Sequence, residues 1–226
     1  MKMSEMKRRA LESIEKRGAL LVYPLNNRKE PLSLWSELFP RSEMRWEWTE
    51  TADDRVGDVW ILREHLSRSR QVVYAKWYQG RATFFSFPVF THLLAYLGAV
   101  GTCEDGLSPD SREILDLLLS DSPLSTKQLK AGADMEGRLM ESTYNRAMKP
   151  LWNRLIIVGF GEFNDSSFPS LGVGATATLF EEAWNESTKI SVQKATEFLI
   201  EKLGSENPFF KFAKRIGHAE LSRPSP

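Results

Sequence analysis

Within MKPLWNRLIIVGFGEF, residues 148–163, the hydrophobic period changes part-way. Met148, Leu151 and Leu155 recur at helical spacing, after which Ile156, Val158 and Phe160 alternate with Ile157, Gly159 and Gly161 as a strand would. A helix therefore runs straight into a strand. The same reading, taken from the N-terminus, predicts a first helix over about residues 5–17, closed by Gly18 where a left-handed residue ends a helix. ALLVYP reads as a buried strand, PLSLWSELFP as a short helix between two prolines, and MRWEWT as an alternating strand. In DDRVGDVWILREHLSRS, Val56, Val59, Trp60, Leu62, Arg63 and Leu66 fall at helical spacing. QVVYAKWYQGRATFFS then gives two β-rich runs joined around Gln79 and Gly80, a hairpin signal, and a helix over about 88–97 follows.

GAVGTCEDGLSPDS breaks the pattern and marks a domain boundary. Beyond it, Ser108 precedes Pro109 as a helix cap precedes the favoured first helical residue. Ile114, Leu115, Leu117, Leu118 and Leu119 give that helix a wide apolar face. SPLSTKQLK opens a short second helix, with Ser125 and Gln128 at capping-box spacing. After the turn AGADMEG comes a third helix, RLMESTYNRAMKPLWNRL, and then LIIVGFGEF pairs with GVGATATLF across NDSSFPSL. Helix, short helix, turn, helix and hairpin is the order of a winged helix-turn-helix. The expected fold class is α+β: a mixed, aromatic-rich domain over 1–100, a winged helix-turn-helix over 106–180, and C-terminal helices with a frayed tail over 181–226.

On the third helix Met140, Tyr144, Ala147, Leu151 and Leu155 recur at steps of three and four and face the core. The opposite face carries Ser142, Asn145, Arg146, Lys149 and Asn153, residue types that reach phosphates and base edges. With Lys127 and Lys130 of the second helix they form the candidate nucleic-acid-binding set. Asp134, Glu136 and Glu141 at the helix start suit its dipole but repel phosphate, and Pro150 is expected to bend or interrupt it.

Five of the seven tryptophans, Trp35, Trp46, Trp48, Trp60 and Trp77, precede residue 80. Aromatic rings dominate core energetics, so a large aromatic core accounts for most of them. Trp46 and Trp48 alternate with Arg45 and Glu47 and are candidates for an aromatic groove. Beside them Asp53, Asp54 and Asp58 crowd three carboxylates around Arg55. Helix capping explains them; alternatively, one carboxylate is raised in pKa by its neighbours to act as a catalytic acid or base. A basic run (Arg41, Arg45, Arg55, Arg63, Arg68, Arg70, Lys76, Arg81) reads either as solvated surface or as a track for a phosphate backbone.

Charge narrows the reading only slightly. Thirty Lys and Arg balance thirty Asp and Glu, so any basic surface is local. Cys103 stands alone and His65, His92 and His218 are scattered, so neither a disulfide framework nor a zinc spacing assembles. No metal or other cofactor is expected. The longest apolar runs fall short of the roughly 20 residues of a spanning helix, and the N-terminus lacks the apolar centre of a secretion signal, so no membrane partner is expected and a cytoplasmic location is. Gly172 and Gly174 follow no strand-to-helix phosphate turn.

LSTKQLK, YNRAMKPLWNRLIIVGFGE and FPSLGVGATATLFEEAW together resemble the winged-helix modules of a bacterial family of DNA glycosylases, which excise alkylated or crosslinked bases, and of that family's shorter relatives. The resemblance lies mainly over 108–184. It implies a DNA partner and winged helices in tandem, and the helix-into-hairpin order of DVWILREHLSRSRQVVYAKWYQGRATFFS fits a degenerate first copy. The family's catalytic signature is a glutamine followed two residues later by aspartate or glutamine. Here Gln71, Gln79, Gln128 and Gln193 are followed by Val73, Arg81, Lys130 and Ala195, so its catalytic residues have no counterpart. The leading expectation is a DNA-binding regulator or non-catalytic repair relative. A base-excision enzyme using a carboxylate among Asp53, Asp54 and Asp58, and a winged-helix protein-interaction module, are the alternatives.

Overall fold

Gly18 ends the first helix with φ +79°, its N–H donating to the Ile14 carbonyl at 2.8 Å, so the chain reverses into the sheet where the sequence predicts. The structure, a computed structural model, describes residues 1–45, 53–98, 105–165 and 169–221, with side chains as far as residue 217. Its first half runs α1 (Met3–Arg17), β1 (Ala19–Leu21), α2 (Leu34–Leu38), α3 (Asp54–Arg68), β2 (Val73–Lys76) and β3 (Ala82–Phe85). After α4 (Phe87–Tyr96) the second half repeats that order: α5 (Pro109–Ser120), β4 (Leu124–Ser125), α6 (Thr126–Gly132), α7 (Glu141–Asn153), β5 (Ile157–Phe163) and β6 (Ser170–Ala175). Helices α8 (Thr176–Leu179), α9 (Glu181–Ser187), α10 (Val192–Leu203) and α11 (Pro208–Leu221) complete the chain.

The strands form one six-stranded antiparallel sheet in the order β1-β3-β2-β5-β6-β4. Read from either outer edge, each half runs first strand, third strand, second strand, and the halves meet where Tyr74 of β2 stands opposite Gly159 of β5. A side chain at 159 has no room, because its Cβ would lie 2.3 Å from the Tyr74 ring. Glycine at this position lets the two three-stranded halves join.

Alternation within the first half divides the core. Leu20, Tyr74 and Phe84 point to one face, under Met6, Ala10 and Ile14 of α1 and Val59, Leu62 and Leu66 of α3. Leu21, Val73, Ala75 and Phe85 point to the other, which α4, α11 and the second half cover. Burial on both faces explains why these strands read as apolar runs. Trp77 locks this side: it packs edge-on to Phe212 at 4.9 Å and donates from Nε1 to the Asn153 carbonyl at 2.9 Å.

Ser108 accepts from the Ser111 N–H with Pro109 at the first turn, and Ser125 and Gln128 close the predicted capping box. The hairpin at residues 78–80 also forms, with Gln79 at φ +53° and Gly80 at φ +74°. Three local expectations change. The third helix begins at Glu141 and continues through Pro150 to Asn153. Proline there leaves the carbonyl of Arg146, four residues earlier, without its helical donor, and Arg146 is exposed, so water can serve that carbonyl. The last strand stops at Ala175, because Thr176 turns inward and donates its hydroxyl to the Leu155 carbonyl at 2.5 Å. In MRWEWT, Met44 and Arg45 are not in a strand, and the remainder lies outside the described residues.

Candidate nucleic-acid interface

Helix α7 divides as its sequence predicts. Tyr144, Ala147 and Leu151 are buried, as is Leu155 just beyond the helix, and Met140 packs against the same core from half-buried surroundings. Ser142, Asn145, Arg146 and Lys149 are exposed and Asn153 is half-buried. Among the described residues, no hydrogen bond or ion pair engages the side chain of Arg146 or Lys149.

The flank of this helix forms one wall of a groove of about 820 Å³. Asn145, Met148, Lys149, Trp152 and Asn153 line it from α7; Lys76, Gln79 and Gly80 come from the first hairpin and Phe212, Arg215 and Ile216 from α11. Thr126, Tyr144 and Leu171 complete it. Three cations, Lys76, Lys149 and Arg215, therefore share a groove whose described lining contains no carboxylate. Such a concavity attracts polyanions despite a net charge of zero. Lys76 is exposed at a strand end, and partial loss of hydration, then the nearby Arg63 charge, lowers its pKa. The Tyr144 hydroxyl is buried without a hydrogen-bond partner among the described residues, and burial, followed by the Glu141 charge, raises its pKa.

The other two predicted cations are engaged locally. Lys130 pairs with Glu141 at 2.5 Å and lies 4.9 Å from the centre of the Tyr144 ring. That lysine lowers the Glu141 pKa and compensates the carboxylate that would repel phosphate at the start of α7. Lys127 donates to the Asp165 carbonyl at 3.1 Å, tying α6 to the end of β5. Both line a separate shallow concavity with Glu136.

The acidic block is placed as caps and surface. Asp53 caps α3, accepting from the Arg55 N–H at 3.1 Å, and its carboxylate also pairs with the Arg55 guanidinium at 2.6 Å. The Arg55 side chain, despite some opposing loss of hydration, holds the Asp53 pKa below the usual carboxylate value. A group so held is ionised at neutral pH, which disfavours it as a proton donor. Asp54 is exposed on the first turn and Asp58 is half-buried one turn later. Trp46 and Trp48 lie outside the described residues.

Three members of the basic run are spent on structure. Arg63 is buried against Glu162 of β5, Arg68 pairs with Glu64 and donates to the Glu162 carbonyl, and Arg55 serves Asp53. Lys76 is the member of that run lining the groove. Arg215 escaped the sequence reading; its signal was the basic amphipathic pattern of KFAKRIGHAEL, whose helix the fold lays beside Trp77 and Tyr78. Gly172 and Gly174 belong to β6, and a Cβ at 174 would meet the Leu179 side chain at 2.2 Å. Their spacing thus serves close packing. Among the described residues no group of three His, Cys, Asp or Glu side chains is arranged to hold a metal, and no helix is long and apolar enough to cross a membrane.

Comparison with curated proteins and with solved structures returns no match. A family model described as AlkZ related matches residues 5–212, a span containing both halves of the sheet and most of the groove lining. The chain belongs to the AlkZ-related family, the relatives of DNA glycosylases that its sequence resembles.

Proposed function

We propose that this protein binds duplex DNA through the exposed face of α7 and the groove beside it, as a repair-related protein without its glycosylase relatives' glutamine signature. The observation that carries this reading is the grouping of Lys76, Lys149 and Arg215, with Asn145 and Asn153, in a groove lined by no carboxylate. Lysine and arginine neutralise phosphates, while asparagine can bond base edges. The second half, α5 to β6, is read as the winged helix-turn-helix of 106–180, with α7 as its recognition helix. The first half, within 1–100, is read as a degenerate copy whose third helix, α3, exposes Asp54, Trp60 and Ile61, with Arg68 in its last turn paired to Glu64.

Titration of DNA binding across salt tests the proposal. Each phosphate neutralised releases counterions, so log Kd against log salt is expected to rise steeply for duplex DNA. A flat response, or no binding at low salt, overturns the reading and favours a protein-interaction module built on the same scaffold.

A further inference from the structure

Asn145 differs from its neighbours on the open face of α7 in having its side chain held. Its Nδ2 donates to Oε1 of Glu141, one turn earlier, at 3.4 Å, and the other oxygen of that carboxylate accepts from Lys130 Nζ at 2.5 Å. The lysine is placed in turn by the core, its ammonium 4.9 Å from the centre of the buried Tyr144 ring. Among the described residues no side-chain hydrogen bond or ion pair engages Ser142, Arg146, Lys149 or Asn153. Lys130 holds the Glu141 carboxyl below its usual pKa, so it is ionised at neutral pH. An ionised carboxylate accepts and does not donate, so Glu141 decides which way the Asn145 amide is turned. One N–H is committed to it, which leaves the second N–H and Oδ1, a donor and an acceptor on one planar group. Adenine presents the matching pair in the major groove, its N7 accepting and its N6 amino group donating, whereas guanine presents two acceptors there. Asn145 is exposed and belongs both to the α7 face and to the groove lining, so it is open to DNA in either seating.

We propose that Asn145 reads an adenine in the major groove, held for that contact by Glu141 and Lys130, so that this protein prefers one duplex sequence over others. This rests on the DNA-binding reading above and deepens it, because phosphate contacts alone carry no sequence information. Asn145 is the contacting residue; Glu141 and Lys130 position it.

The test selects duplexes from a pool randomised in sequence, using the full chain at fixed salt, and sequences those retained. One position is expected to be adenine. Replacing that adenine by a deaza analogue lacking the N7 acceptor, or by purine, which lacks the amino group, is expected to weaken binding of the unaltered protein about tenfold, within the usual range for a bidentate base contact. Asn145→Ala is expected to remove the preference at that position while leaving the salt slope, which counts phosphate contacts, in place. Glu141→Ala separates positioning from charge. Loss of a carboxylate near phosphates strengthens binding to every duplex, whereas loss of the brace narrows the gap between adenine and the other bases, and both changes are expected together. A preference that survives Asn145→Ala, or that neither base analogue weakens, overturns the Asn145 contact. An unchanged gap in Glu141→Ala overturns the positioning. Binding without an adenine preference overturns this inference alone. Failure to bind any duplex at low salt overturns the DNA reading, and this inference falls with it.

Discussion

Tyr74 and Gly159 stand opposite each other where β2 meets β5, and the tyrosine ring occupies the space that any side chain at 159 would require. That pair joins the two halves of the sheet. Gly159→Ala would place a methyl group 2.3 Å from Cδ1 of a fully buried ring, so the ring or the strand pairing must shift. The expected cost is about 1–3 kcal/mol, read as a lower urea midpoint. Gly57→Ala makes the contrast: this glycine lies within α3 with nothing within 4 Å of the added Cβ. It is expected to stabilise by about 0.5–1 kcal/mol, since alanine costs less backbone entropy in a helix.

Arg63 and Glu162 make the corresponding polar link. The arginine is 3% exposed on α3 and its partner lies on β5 of the other half, so the ion pair crosses the same junction. Glu162→Ala leaves the guanidinium buried with the Tyr74 hydroxyl, 3.5 Å away, as a weak remaining contact. Breaking a buried pair in this way is expected to cost about 3 kcal/mol or more. Adding Arg63→Met removes the stranded charge, and the double variant is expected to be more stable than Glu162→Ala alone. A double-mutant cycle by urea unfolding checks both statements.

Local chemistry was legible in the sequence wherever one short segment determined the outcome. Gly18, Ser108 with Pro109, Ser125 with Gln128, and the turn at Gln79 and Gly80 each satisfy or reverse their own backbone, so a short window contains the reason for each. The two faces of α7 were legible from period alone. The joining of the halves was not, because a glycine at 159 becomes informative only when Tyr74, far away in sequence, lies over it. The groove was legible in part for the same reason. Asn145, Lys149 and Asn153 belong to one helix face, but Lys76 and Arg215 reach it only through the register of the first hairpin and the docking of α11. The basic run looked uniform in sequence because nothing local separates Lys76 from Arg63, Arg68 and Arg55, whose carboxylate or carbonyl partners the fold supplies.

Asp53 offers a test of capping against catalysis. Its folded pKa is depressed by Arg55, so its contribution to stability is present above the unfolded value of about 3.9 and is lost as pH falls through the lower folded value. Asp53→Ala is therefore expected to cost about 1 kcal/mol at pH 7, the usual loss for a helix cap. The difference between wild type and variant is expected to shrink once the pH is well below about 3.9, because the wild-type carboxyl is then protonated too. Urea midpoints at neutral and acid pH check the sign. A cost that grows toward acid pH would contradict the depressed pKa.

The α7 cations separate the two placements that the groove and the helix face offer to a phosphate backbone. Arg146 and Lys149 are both exposed, and neither has a hydrogen bond or ion pair among the described residues, so replacing each by Ala is expected to change stability by less than about 0.5 kcal/mol. Lys149 lines the groove, whereas Arg146 lies one turn earlier and outside it. A backbone seated in the groove loses a contact with Lys149→Ala, weakening binding and flattening the log–log salt slope by about 1, while Arg146→Ala changes the slope less. A helix inserted end-on into a major groove loses a contact with either substitution, and the slope flattens by about 1 for each. Duplex binding at several salt concentrations, paired with unfolding curves for each variant, distinguishes the two. If the double variant keeps its fold and leaves both affinity and slope unchanged, α7 does not meet the backbone, and the surface belongs to a protein partner.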